Sequence, residues 1–143
     1  MTADDVKSRL LKEIHLRGYD DHYIDRNEER EILQIALQLG VGYDTARGEM
    51  SAVCAASGYV LESAVVRAMG ERLTELVNRT GRVDRDGFER IVNEAVSLVQ
   101  GKKSDREVRA MLVTTMEDSG RNRVKAGLFN NWYKSLKREL GIG

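Results

Sequence analysis

Apolar residues recur along this chain three and four positions apart, and no alternating run is long enough to pass for a strand. Val6, Leu10, Leu11 and Ile14 share a face and predict a first helix over about 3–17, with Gly18 just past its end. A second helix is predicted over about 25–39, with Ile32, Leu33, Ala36 and Leu37 at helical spacing and Gly40 as its stop. Asp25 is its N-cap residue and Glu28, three positions on, completes a capping box. The third, over about 44–57, takes Asp44 as cap, points Ala46, Met50, Val53 and Cys54 inward and stops at Gly58.

The fourth spans about 60–78 and carries Leu61, Val65, Ala68, Met69, Leu73 and Leu76. The fifth spans about 84–100, with Asp84 as cap and Phe88, Ile91, Val92, Ala95 and Val99 inward. The sixth spans about 105–118 behind Ser104 or Asp105, with Val108, Met111, Leu112 and Met116. The last spans about 124–140, with Leu128, Phe129, Trp132, Tyr133, Leu136 and Leu140. The pattern therefore predicts an all-α fold of about seven helices in one globular bundle, a single domain over 1–143.

The second and fifth helices echo each other. A shift of 59 residues lays Ile24 on Val83, Asp25 on Asp84, Arg26 on Arg85, Ile32 on Ile91, Leu33 on Val92, Ala36 on Ala95 and Leu37 on Val96. Each is followed by a glycine-containing turn and two further helices, which suggests an internal repeat of helix–helix–helix units, 24–79 and 83–140, preceded by an extra helix.

Composition sharpens this picture. The chain has 143 residues and no proline, where average usage of about 5% would give roughly seven. Proline is poorly tolerated inside helices. One cysteine, Cys54, cannot form an internal disulfide and fits a reducing compartment. Lys+Arg and Asp+Glu are each 23, so the formal net charge is zero, and no global field steers the chain to nucleic acid or a membrane. No apolar run reaches the roughly 18 residues of a membrane span, and the charged N-terminal stretch is unlike a secretory signal; a cytoplasmic protein is expected.

Candidate chemistry is sparse. With Gly87 at position 6 of a calcium loop, positions 1 and 12 become Arg82 and Asn93, which are not the required carboxylates. His15, Asp20, Asp21, His22 and Asp25 share a window without zinc-ligand spacing. Cys54 lies among alanine and valine and reads as a small core residue. No phosphate loop, nucleophile elbow or zinc-protease motif is present, so neither an enzyme nor a metal or organic cofactor is expected. Residues 36–50 have the outline of a helix-turn-helix, but Glu49 stands where an apolar residue should pack, and Arg47 is the lone basic reader.

The C-terminal stretch 120–141 is the most suggestive. Arg121, Arg123, Lys125, Lys134, Lys137 and Arg138 face a single Glu139, and Phe129 and Trp132 stand three apart. That composition predicts a partner-binding face, with Trp132 as anchor and Lys134, Lys137 and Arg138 as charged rim. Its alternative is nucleic acid or another anion. At the other end Asp25, Glu28 and Glu29 form an expected acidic surface, suited to a protein partner or to self-association.

The stretch "YIDRNEEREILQIALQLGVGYDTAR", with Asp25, Glu28, Glu29, Ile32, Gly40 and Ala46, resembles the helical unit of TerB-like proteins, a family named from tellurite resistance. The resemblance implies an all-helical bundle of related halves and a stress- or chaperone-linked interaction module rather than an enzyme. The function expected is a non-enzymatic helical adaptor.

Overall fold

A computed structural model of the chain describes residues 2–118 and 131–142. Its elements are α1 (Ala3–Gly18), β1 (Tyr23–Ile24), α2 (Arg26–Gln38), α3 (Tyr43–Ser57), β2 (Val60–Leu61), α4 (Glu62–Thr80), α5 (Arg85–Leu98), α6 (Asp105–Asp118) and α7 (Asn131–Glu139). The protein is all-α, with seven helices among the described residues. It divides into two compact units, residues 1–64 and 65–143, and the division falls in the first turn of α4.

The helix starts follow from satisfied N–H groups. Asp25 accepts from the Glu28 amide at 2.8 Å, while Glu28 Oε1 accepts from the Asp25 amide at 3.1 Å. Thr2 with Asp5 and Ser104 with Glu107 make the same reciprocal pair before α1 and α6. Asp84 Oδ1 accepts from the Gly87 amide at 2.7 Å before α5. The cap of α3 is Gly42, not Asp44, which sits inside the first turn and offers its charge to the helix dipole instead.

In the first unit Leu10 and Ile14 of α1, Ile32, Leu33 and Ala36 of α2, and Ala46, Met50 and Cys54 of α3 form one core with Ile24 and Leu61. Leu11 and Leu37 do not join it; they are 42% and 56% exposed, outside the inward stripes formed by Leu10 and Ile14 on α1 and by Ile32, Leu33 and Ala36 on α2. In the second unit the core takes Met69, Leu73 and Leu76 of α4, Phe88, Ile91, Val92 and Ala95 of α5, and Val108, Leu112 and Met116 of α6. The pairs aligned by the 59-residue shift, Ile32 and Ile91, Leu33 and Val92, Ala36 and Ala95, are buried in their respective units.

Contrary to the expectation of no strand, Tyr23 and Ile24 pair in parallel with Val60 and Leu61. All four are buried, and two residues are too few to write an alternating pattern. Because β2 takes Val60 and Leu61, α4 starts two residues later than predicted. A clasp of rings sits beside this ladder. Tyr59 Oη lies 2.9 Å from His15 Nδ1, and both His15 and His22 meet the Tyr59 ring edge-on, with centroids 5.6 and 5.5 Å away. Gly18 lies under that ring: a Cβ there would stand 2.6 Å from two of its carbons.

The seventh helix is described from Asn131. Leu128 and Phe129, and the basic residues Arg121, Arg123 and Lys125, lie outside the described residues.

Candidate functional site: the faces of α7

Tyr133 fixes α7 to α6. It is buried, and its hydroxyl donates to Glu117 Oε1 at 2.7 Å. Burial first, and this carboxylate second, keep the phenol protonated well above its ordinary range. Lys137 Nζ donates to the same oxygen at 3.1 Å and lies 5.6 Å from the centre of the Tyr133 ring. With Tyr133 turned inward, the 100° step between helical residues sends the neighbours Trp132 and Lys134 to opposite flanks.

On one flank Trp132, Ser135, Leu136 and Glu139 meet Arg85 and Glu89 of α5 and Arg109 of α6 around a cleft of about 410 Å³. Trp132 is half-buried there, its ring centre 5.5 Å from that of Phe88. Arg109 holds Glu89 with two bonds, 2.6 and 2.8 Å, and reaches Asp105 at 2.5 Å. The guanidinium keeps the Glu89 carboxyl below the usual carboxylate range. Of the two acids lining this cleft, Glu89 is thus paired by a residue of the cleft itself.

On the other flank Lys134, Lys137 and Arg138 line a groove of about 550 Å³ with Gly141 and Ile142. The helix end shapes it. Gly141 has φ of 71°, its amide donates to the Arg138 carbonyl at 3.1 Å, and the Ile142 amide donates to the Lys137 carbonyl at 2.8 Å. This left-handed ending turns Ile142 back beside the last turn. Lys134 and Arg138 have no ion partner among the described residues. The structure therefore separates two features expected in one patch: Trp132 lines the cleft, and the three cations line the groove.

The expected acidic trio is divided as well. Asp25 and Glu28 are consumed in the capping box of α2. Burial, then the nearby charges of Asp25 and Asp21, push the Glu28 carboxyl up. Glu29 is not on the surface: it is buried and accepts a 2.7 Å bond from Ser63 Oγ in the first turn of α4. Neighbouring Cys54 is buried too, and its thiol is pushed up to about 11, first by burial and then by the Glu29 charge. Among the described residues no group of three or more His, Cys, Asp or Glu is placed to hold a metal ion, and no helix is long and apolar enough to cross a membrane.

Charge is partitioned between the units. Residues 1–64 carry 7 Lys+Arg against 12 Asp+Glu, a net −5, and residues 65–143 carry 16 against 11, a net +5. Sequence reading missed Arg85, Glu89, Arg109 and Glu117 as neighbours of α7. Each lies 14 or more positions away from Asn131 in the chain, and only contact between helices could reveal them. The chain matches no protein-family model, no curated protein and no solved structure.

Proposed function

We propose that this protein is a non-enzymatic adaptor of the cytoplasm that binds an acidic segment of a partner protein in the groove beside α7. The observation that carries this reading is the groove itself. Lys134, Lys137 and Arg138 surround an apolar residue, Ile142, in a unit of net charge +5. Apolar contact at the centre with charge at the rim is how interfaces combine affinity with steering. Tyr133 and its bond to Glu117 hold the helix in place, so little ordering cost remains for the groove on binding. A stress- or chaperone-linked setting is in keeping with the TerB-like features of α2.

The test begins with capture from cell extract treated with nuclease, using the tagged chain and a Lys134→Glu/Arg138→Glu variant whose helicity is checked by circular dichroism. The partner's acidic segment is then made as a peptide and titrated directly. We expect saturable binding that weakens as ionic strength rises from about 0.05 to 0.3 M, since exposed charges are screened over about 10 Å at 0.1 M. The folded variant should lose that binding. Retention of binding by the variant would overturn the reading. Capture of nucleic acid alone, lost on nuclease treatment, would replace it with the anion-binding alternative.

A further inference from the structure

A second charged feature lies in the same unit, between α4 and α5. The seam between α4 and α5 opens into a small notch of about 190 Å³ lined by Arg72, Glu75 and Arg79 of α4 and Gly87, Arg90 and Glu94 of α5. The helices approach closely here because position 87 has no side chain: a Cβ would stand 2.5 Å from a Leu76 methyl carbon. The notch has its own charge inventory. Arg72 takes both carboxylates, reaching Glu94 at 2.8 Å and Glu75 at 3.0 Å. Glu94 passes over Arg90, four residues before it on α5, and Glu75 takes no bond from Arg79, four residues after it on α4. Both turn to Arg72 instead. Arg79 and Arg90, from two different helices, both line this small polar notch, and neither has an ion partner among the described residues.

Two like charges held around one opening repel each other, and a tetrahedral oxyanion between them converts that repulsion into attraction. Guanidinium groups match phosphate geometry with paired N–H donors and form short, charge-assisted bonds. Arginine clusters that read phosphorylated segments work in this way. A notch of this size has room for one phosphoryl group. We infer that the notch between α4 and α5 binds a phosphoryl group through Arg79 and Arg90, with Arg72 held in place by Glu75 and Glu94 as its back wall. The group is either free phosphate or the phosphoryl of a phosphorylated side chain, since both offer the same oxygens to the same donors.

The experiment uses the whole chain, labelled with nitrogen-15, and follows the arginine Nε–H signals by NMR at constant ionic strength. Inorganic phosphate is titrated in one arm and a phosphoserine peptide in the other, with the unphosphorylated peptide as control. We expect the Arg79 and Arg90 signals to move together and to saturate at about millimolar phosphate, the range of a weak single-group contact. Arg106, exposed on α6, should stay still. Arg79→Gln and Arg90→Gln should each weaken binding about tenfold, the loss of one charge-assisted donor pair, while Arg106→Gln leaves it unchanged. Stronger binding of the phosphoserine peptide than of phosphate assigns the site to a phosphorylated partner, and the reverse order assigns it to the free anion. Movement of Arg106 equal to that of Arg79 and Arg90, or no saturation in either arm, would overturn the proposal. A thermal melt of each variant guards against loss of fold, and unfolded variants are replaced by Arg79→Lys and Arg90→Lys, which keep the charge and lose the paired donors.

Discussion

Gly18→Ala sets two known effects against each other at the end of α1. Helix propensity favours the change: alanine is better than glycine in a helix interior by about 1 kcal/mol, and by less in a last turn. Packing opposes it. The new Cβ would lie 2.6 Å from two carbons of the Tyr59 ring, and carbon atoms sit best at about 3.5–4.0 Å, so the ring must retreat by about 1 Å. It cannot do so freely. The hydroxyl is bonded to His15, and His15 and His22 both hold the ring by its edges. Overpacking of this kind costs about 1–3 kcal/mol, and loss of the hydroxyl bond adds about 1 kcal/mol. Packing wins, and we expect a net loss of about 1–3 kcal/mol from these terms, read as a lower urea midpoint by circular dichroism. The cause is isolated in a Tyr59→Ala background. With the ring gone the same substitution should be neutral or slightly stabilising, because only the propensity term remains. A stabilising Gly18→Ala in the wild-type background, or an equal loss in both backgrounds, would refute the ring clasp.

Ile91→Ala should cost about 2–5 kcal/mol as a truncation in the core of the second unit; a loss under about 0.5 kcal/mol would place Ile91 at the surface. Cys54, with its thiol pushed up to about 11, should resist an aromatic disulfide reagent at pH 8 until denaturant is added, and rapid labelling of the folded chain would count against its burial. Glu89 has its folded value below the usual 4.5, so its pairing with Arg109 contributes stability above that value and loses it as pH falls through the lowered one. The stability gap between wild type and Glu89→Gln should therefore be flat above about pH 5 and should close below it; a gap that persists unchanged to about pH 2 would show that the pairing does not act through the charge.

The helices were legible because their signals are local. The caps at Asp25, Asp84 and Ser104 sit within three residues of what they bind, and the apolar spacing of α2 and α5 needs no knowledge of the partner helix. What escaped was set by contacts far apart in the chain. The β1–β2 ladder joins residues 37 positions apart, and nothing in "YI" or "VL" announces a pairing. Glu29 reads as one more acidic residue on an acidic helix start, and only Ser63, 34 positions on, explains how it stays buried. The α7 surface was half legible. Its charges and aromatics are plain in the sequence, but the division of Trp132 from Lys134, Lys137 and Arg138 depends on which residue turns inward. Tyr133 does so because Glu117 meets its hydroxyl.

A net charge of zero is also a property of the wrong unit of account. The neutrality of this chain is the cancellation of −5 in residues 1–64 by +5 in residues 65–143. Screening acts over about 8 Å at physiological ionic strength, so the charges nearest a partner weigh more than the formal sum. Formal neutrality thus removes long-range steering of the whole chain but leaves local attraction intact. The α7 groove and the α4–α5 notch both lie in the basic unit, and both leave cations unmatched by any acid among the described residues. Some surface cations are paired along their own helix, as Arg9 and Arg17 are with Glu13. If the α7 groove binds an acidic segment, the salt dependence of that binding should fall in slope when Lys134 and Arg138 are reversed and be unmoved by reversal of Arg106, which lines neither the groove nor the notch.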